Sequence, residues 1–294
     1  FRRVLFRSEF CAEVLDYGPG TDRRFPIGST VCSMPMLLNT PSGPQGIGYS
    51  PDFPGGYGER MVLEERLLIR VPDGLPAERA ALTEPLAVGV HAVGQADLQP
   101  GDVPLVIGCG PVGLSVIAGL KVAGIGPIVA ADFSPARRRL AELTGADVVI
   151  DPAKESPYTS WMGLVGDPAP LSMYWFGPVQ PRTVVFECVG VPGMLAQIIE
   201  QLPPHTRLVV VGVCMQPDTF VPLSAIVKEL NMRFVLAYRP DEFERCLHLI
   251  ADGKVDVDPW ITGHVGLDGV AGAFTDLGSP EKHCKVLVNP YLGK

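Results

Sequence analysis

The chain has 294 residues, of which 47% are hydrophobic and 19% charged, the balance of a folded globular protein and not of a disordered one. That length is enough for two domains with sizeable cores. A net charge of -8 argues against a nucleic-acid partner, and no apolar run approaches the ~18 residues that suggest a membrane span.

Residues 1–8, FRRVLFRS, carry three arginines and no long apolar stretch, so they do not read as a secretory signal. The seven cysteines, at 11, 32, 109, 188, 214, 246 and 284, are odd in number, scattered, and never spaced as C-x-x-C. This usage reads as reduced thiols in a cytoplasmic protein, each a small buried apolar residue in the first instance. From Cys11 to about residue 75 short strand-like runs (CAEVLDYG, STVCSMP, MVLEERLLIRV) alternate with Gly/Pro turns, and residues 39–56 form a long Pro/Gly-rich loop. LPAERAALTEPLAVGVHAVGQADL, residues 75–98, changes to helical spacing through Leu82, Leu86 and His91 and predicts one or two helices. Residues 104–254 then alternate strand and helix. PLVIG, PIVAAD, DVVID, TVVFECVG, RLVVVGV and RFVLAY are apolar enough for strands buried on both faces of a parallel sheet. In DEFERCLHLIADG, Phe243, Cys246, Leu247 and Ile250 share one helix face and Gly253 is a stop signal. The stretch 152–182, with Tyr158, Trp161, Tyr174 and Trp175, reads as a long functional loop. The chain closes on a short strand in CKVLVNP.

One motif carries chemistry outright. Gly108-Cys109-Gly110-Pro111-Val112-Gly113 follows an apolar strand and opens a helix, the context in which G-x-G-x-x-G binds a dinucleotide. Gly108 permits the tight turn, Gly110 lets a pyrophosphate approach the backbone, and Gly113 lets the helix pack close to the sheet. Pro111 suits the first helical position, where its missing N–H costs nothing, and the helix N-terminus offers free N–H groups to phosphate. Asp132 ends the next strand, where a carboxylate accepts the ribose hydroxyls of NAD and repels the 2′-phosphate of NADP. NAD is therefore expected over NADP, with Arg137, Arg138 and Arg139 read as a solvated helix face.

With these motifs in place, the sequence resembles the zinc-dependent alcohol and polyol dehydrogenases of the medium-chain dehydrogenase/reductase superfamily. The resemblance rests on EFCAEVLDYGPG, LTEPLAVGVHAV, GCGPVG, FECVG and KVLVNP and spans nearly everything from Glu9 to Pro290. It implies an α/β protein: a Rossmann doubly wound parallel sheet over 99–254, an incomplete GroES-like β-rich catalytic domain over 9–98, and a return to that domain over 255–294. In the family the first segment reads Gly-His-Glu-Phe, the His binding the catalytic zinc. Here Glu9-Phe10 matches, Ser8 stands at the His position, and the segment that would supply a Cys ligand is not found. FRRVLFRS also matches the peptide that one reading frame of a common sequencing adapter encodes, so residues 1–8 are expected to be an artefact on a chain shortened at its N-terminus.

The resemblance further implies metal roles for Glu84, at the carboxylate position of polyol-type members, and for Glu9, and these two are the expected catalytic residues. It places Val189, Gly190, Val211, Gly212 and Val213 near the nicotinamide and Lys285 near the pyrophosphate. His91 is expected to be a core residue, with His264 and His283 on the surface. Many relatives carry a structural zinc lobe of four cysteines where residues 36–59 stand here, and the absence of cysteines from that stretch argues against a structural zinc. The expected reaction is hydride transfer between an alcohol, its oxygen polarised by zinc, and nicotinamide. The partners are a small alcohol or carbonyl substrate, a polyol by preference, and a second copy in a homodimer or homotetramer, often through sheet edges. A zinc-free quinone or enoyl reductase of the same superfamily and a non-catalytic NAD-binding protein remain alternatives. The 294-residue chain itself is expected to bind NAD weakly and to turn over little or nothing; turnover of an alcohol with added zinc would contradict this.

Overall fold

The computed structural model describes residues 8–166 and 182–293. In chain order the first elements are strands β1 (Ala12–Glu13), β2 (Thr30–Ser33), β3 (Met36–Leu37), β4 (Gln45–Gly46) and β5 (Leu68–Arg70), then helices α1 (Ala77–Ala80) and α2 (Thr83–Gly94). An alternating series follows: β6 (Val103–Ile107), α3 (Pro111–Val122), β7 (Val129–Ala131), α4 (Pro135–Thr144), β8 (Val148–Ile150), α5 (Pro157–Val165), β9 (Thr183–Glu187), α6 (Met194–Gln201), β10 (Arg207–Val210), α7 (Pro222–Ile226) and β11 (Asn231–Phe234). The chain ends with α8 (Pro240–Ala251), β12 (Ile261–Val265), α9 (Val270–Leu277) and β13 (Lys285–Val288).

Two compact units divide these elements. One holds the residues up to Ala87 and those from Tyr238 onward, the other Val88–Ala237, so the chain crosses over inside α2 and just after β11. The sequence reading ended the alternating region at 254, whereas contacts group α8 with the first unit.

The second unit is a six-stranded sheet in the order β11-β10-β9-β6-β7-β8, with every neighbouring pair parallel. This is the doubly wound order that reverses direction between its first and fourth strands, here β6 and β9, and opens a crevice at their C-terminal ends. All five residues of β6 and of β9 are buried, as expected of strands covered on both faces. Asp102, only 2% exposed, anchors the opposite end of the sheet. Its carboxylate takes the Arg207 guanidinium at 2.6 Å and the Gln99 N–H at 2.6 Å. Helices α2 and α3 pack so closely that a Cβ on Gly89 would lie 2.2 Å from the backbone of Ser115.

Two expectations are corrected here. The stretch read as a long loop contains α5, started by Ser156, whose side chain caps the helix, and by Pro157 at its first position. Trp161 on this helix is fully buried and donates from Nε1 to the Val103 carbonyl at 2.8 Å, so it is a core residue. Tyr174 and Trp175 lie outside the described residues. RFVLAY does not sit in a buried strand: β11 is the sheet's last strand, and Phe234 and Leu236 are 65% and 84% exposed.

In the first unit β1, β2 and β5 form an antiparallel sheet, β3 and β4 a short antiparallel pair of which β4 lies within residues 39–56, and β12 and β13 a parallel pair. Phe10, Leu37 and Ile47 form one core and Val14, Val31 and Leu68 another. On α8 the face read from the sequence, Phe243, Cys246, Leu247 and Ile250, is buried, and Gly253 ends the helix with φ +65.

Removing one partner of a buried ion pair leaves the other charge uncompensated. Asp102→Ala is expected to lower unfolding free energy by about 3 kcal/mol, measured by chemical denaturation; a change within error would show that the pair does not anchor the strands.

Candidate active site

In the second unit the glycine-rich turn joins β6 to α3. Gly108 has φ +91, in the left-handed region, and a Cβ there would meet Val189 Cγ2 at 2.7 Å. A Cβ on Gly113 would lie 1.8 Å from the Gly108 carbonyl oxygen, so the first turn of α3 rests directly on the loop that precedes it. Gly110 is the N-cap, with Pro111 at the first helical position. A Cβ on Gly110 would meet only the Arg137 guanidinium, at 3.9 Å, so its backbone faces open space, as close approach by a ligand requires.

Asp132 follows β7. One carboxylate oxygen accepts the Cys109 N–H at 2.8 Å and the other the Ser134 N–H at 2.8 Å. Arg137 Nη1 stands 4.0 Å from the same carboxylate, and its buried Nε has no hydrogen-bond partner. Arg137 is therefore not part of a solvated face. Arg138 is not either: it donates to the carbonyls of Asp132 and Phe133 and pairs with Asp151 at 3.1 Å. Of the three only Arg139 points outward, 69% exposed and paired with Glu142 at 3.1 Å.

The neighbouring loops after β9 and β10 are held by a residue not singled out from the sequence. Glu187, 2% exposed, accepts the N–H groups of Val189 and Gly190 on its side chain at 2.7 and 2.8 Å. Its backbone oxygen accepts those of Val211 and Gly212, both at 2.9 Å. Gly190 and Gly212 touch: a Cβ on Gly212 would be 2.4 Å from the Gly190 nitrogen. Val189 and Val213 are left 40% and 57% exposed at this edge, and Val211 is buried. The signal in the sequence was an acid at the end of an otherwise apolar strand, TVVFE.

In the first unit Glu9 and Glu84 do come together. Glu9 precedes β1, Glu84 lies in the first turn of α2, and both are half-buried. Burial, and then the negative charge of Glu9, push the Glu84 carboxyl up to about 8, against the opposing pull of Lys285 and of a hydrogen bond from Tyr238. The Tyr238 hydroxyl donates to Glu84 Oε1 at 3.1 Å, and its ring stacks on Phe243 at 5.4 Å. Burial raises the Tyr238 hydroxyl far above its ordinary value, with the Glu84 charge adding to it. Lys285, at the start of β13, forms an ion pair with Glu9. Ser8, 2% exposed, lies 3.5 Å from the Tyr49 hydroxyl, whose pKa burial also raises. Tyr49 and Tyr238 had no local signal, because long chain separations bring them to Glu84. His264 pairs with Glu78 at 3.2 Å and His283 lies 3.1 Å from the Thr262 carbonyl, both on the surface.

A catalytic zinc takes three protein ligands and keeps one position open. Glu9 and Glu84 supply two oxygens. Among the described residues, however, no three His, Cys, Asp or Glu side chains converge on a metal position. Lys285 also places an ammonium on Glu9. The described residues therefore do not complete a zinc site.

A parallel sheet with this turn and carboxylate defines the class of nucleotide-dependent dehydrogenases. Comparisons agree. Residues 111–252 match the family model described as "Zinc-binding dehydrogenase". The (R,R)-butanediol dehydrogenase of Bacillus subtilis (strain 168) is 32% identical over 298 residues, covering 98% of this chain and 81% of that protein. D-xylulose reductase A of Aspergillus oryzae is 29% identical over 228 residues, 78% of this chain and 62% of that protein. The crystal structure of the Bacillus subtilis 2R,3R-butanediol dehydrogenase superposes with a TM-score of 0.77 at 30% identity, over 96% of this chain and 80% of that one. The chain belongs to the zinc-dependent medium-chain dehydrogenase family, whose members are NAD(P)-dependent oxidoreductases acting on CH–OH groups.

In metal-free protein the raised Glu84 carboxyl has a definite signature. It binds a proton in the folded state up to about pH 8 and, unfolded, only up to its ordinary value of 4.5. The stability it contributes is complete below pH 4.5 and is lost as pH rises towards 8. In EDTA, the thermal midpoint should fall more between pH 5 and pH 8 for the wild type than for Glu84→Gln; parallel profiles would contradict the shift.

Proposed function

We propose that this protein is an NAD-dependent dehydrogenase of polyols or vicinal diols. The observation that carries the reading is the Gly108–Gly113 turn at the N-terminus of α3 with the Asp132 carboxylate beside it. The first N–H groups of α3 face the pyrophosphate, Gly110 allowing its close approach. Asp132 spends two of its lone pairs on backbone N–H groups and keeps others for the ribose hydroxyls. Val189, Gly190, Val211, Gly212 and Val213 offer the nicotinamide an edge set by Glu187. Arg137, with its unpartnered Nε, balances the anionic cofactor. NAD is favoured over NADP because the Asp132 charge, 10% exposed, would have to share its surroundings with a 2′-phosphate.

Glu9 and Glu84 are the polar groups assigned to the chemistry. They would be two oxygen donors to the family's zinc, which would supply Lewis-acid polarisation of the substrate oxygen and would need further donors beyond the described residues. Tyr238 fixes the orientation of Glu84, and Lys285 holds Glu9 in place; in the family resemblance Lys285 also serves the pyrophosphate. The preference for a polyol or diol rests on a carboxylate at position 84 and on the butanediol and xylulose enzymes among the relatives.

We further assign a second copy of the chain as partner, paired through β11. Among the described residues that strand has one neighbour in the sheet, and Phe234 and Leu236, in and just after it, are exposed apolar side chains. All seven cysteines are free, in keeping with a reducing cytoplasmic setting. Among the described residues no helix is long and apolar enough to cross a membrane.

Expressed from its source gene with zinc, the protein should reduce NAD in the presence of (R,R)-2,3-butanediol or a C5–C6 polyol. Tight NAD binding with no alcohol-dependent reduction would overturn the reading in favour of a non-catalytic nucleotide-binding protein. Asp132→Asn should cut the ratio of NADP to NAD dissociation constants about tenfold, the worth of one charge-assisted hydrogen bond; an unchanged ratio would remove Asp132 from the ribose site. Leu236→Glu should shift the sedimentation coefficient to that of the monomer, and an unaltered oligomer would move the interface elsewhere.

A further inference from the structure

Cys11 and Cys32 face each other across two antiparallel strands. The register of β1 on β2 pairs Ala12 with Val31 and Glu13 with Thr30. One step along the same register sets Cys11 opposite Cys32. The phase of the ladder decides what kind of pair this is. Val14 N–H donates to the Ser29 carbonyl at 2.9 Å, which makes 14/29 a hydrogen-bonded pair. On the other side of β2, the Thr30 carbonyl accepts from Val71 N–H at 2.9 Å, so Thr30 turns its backbone groups away from β1. Alternation along the strand then makes 12/31 bonded and 11/32 non-bonded. Non-hydrogen-bonded pairs are the close ones, with Cα atoms about 4.5 Å apart and side chains on the same face. That separation lies within the roughly 4.4–6.8 Å a disulfide spans. Both thiols are free.

The two sulfurs are unequal in access. Cys32 is fully buried, its Sγ 3.3 Å from the Ala80 carbonyl. Cys11 is half-buried and is the one a small reagent can reach. We propose that Cys11 and Cys32 form a redox site that takes a hydroperoxide as its oxidant and closes reversibly to a cross-strand disulfide. The Cys11 sulfur attacks one peroxide oxygen and gives up its thiol proton. The O–O bond breaks, the departing oxygen leaves as hydroxide or alkoxide and takes up a proton, and Cys11 becomes a sulfenic acid. The Cys32 sulfur then attacks the Cys11 sulfur, an S–S bond forms, the S–O bond breaks, and the oxygen leaves as water with the Cys32 proton. Two thiols lose two electrons and two protons, and the peroxide is reduced to water plus water or an alcohol. A small dithiol reverses the sequence by thiol–disulfide exchange.

The site borders the two carboxylates. Cys11 is two residues from Glu9. The Ala80 carbonyl that Cys32 contacts also accepts the Thr83 hydroxyl at 2.7 Å, one residue before Glu84. Neither cysteine is assigned to binding or catalysis, and the inference does not rest on the proposed activity.

The test is peptide mapping of protein treated with a small excess of hydrogen peroxide, blocked with N-ethylmaleimide and digested with trypsin without reduction. Cleavage after arginine places Cys11 in peptide 8–23 and Cys32 in peptide 25–60, each the sole cysteine of its peptide. The expected product is 8–23 joined to 25–60, two hydrogens lighter than the pair and reopened by dithiothreitol, with two of the seven thiols lost. In Cys32→Ser, Cys11 should be trapped by dimedone as sulfenic acid. In Cys11→Ser, Cys32 should stay unreacted. Oxidation of Cys11 to sulfinic acid in the wild type without a crosslink, or a disulfide at Cys109 and Cys188 in its place, would overturn the proposal.

Discussion

The second unit depends on one backbone contact. The first turn of α3 rests on the loop that leaves β6, so close that a Cβ on Gly113 would stand 1.8 Å from the Gly108 oxygen. No side chain can be tolerated there, and Gly108 adopts a positive φ of 91°. This places the free N–H groups of a helix at the C-terminal edge of the sheet, at the point where strand order reverses. The same device recurs one crevice wall away, where Gly190 and Gly212 meet backbone to backbone under the Glu187 carboxylate. Two loops built of backbone, braced by buried acids, leave a surface on which a flat cofactor can lie. A substituent on any of these glycines would separate the loops before it touched a ligand.

The first unit is organised around charge. Two carboxylates, Glu9 and Glu84, approach in a half-buried setting where burial and the Glu9 charge penalise ionisation of Glu84. Lys285 compensates Glu9, and the Tyr238 hydroxyl compensates Glu84. An arrangement of this kind is costly for stability and cheap for binding a cation, because the cation relieves the repulsion that folding imposed. Among the described residues no third His, Cys, Asp or Glu side chain joins the two carboxylates to complete a metal position.

Much of this was legible before any coordinates. The glycine spacing, the strand before it and the acid after it point to the proposed nucleotide site because each is forced by local backbone geometry. Glu84 was legible only through the family resemblance carried by LTEPLAVGVHAV, whereas the α8 face was legible from its 3.6-residue repeat. What was missed belongs to longer range. Tyr49 and Tyr238 reach Glu84 from far along the chain. Arg137 and Arg138 share a helix with Arg139 and differ from it only in which way they fold back on Asp132 and Asp151. The α5 helix was hidden by its aromatic content, although Ser156-Pro157 is a sound start signal. The sixth strand reads like its five partners, and nothing local marks it as the edge.

The central claim is direct hydride transfer between a carbinol carbon and nicotinamide. The most direct measurement is mass spectrometry of NADH formed from NAD and 2,3-butanediol deuterated at its carbinol carbons, using protein expressed from the source gene with zinc. The account predicts one deuterium per NADH, carried on C4 of the nicotinamide ring. Unlabelled NADH, with the hydrogen drawn from solvent, or no NADH from a protein that binds NAD, would contradict it.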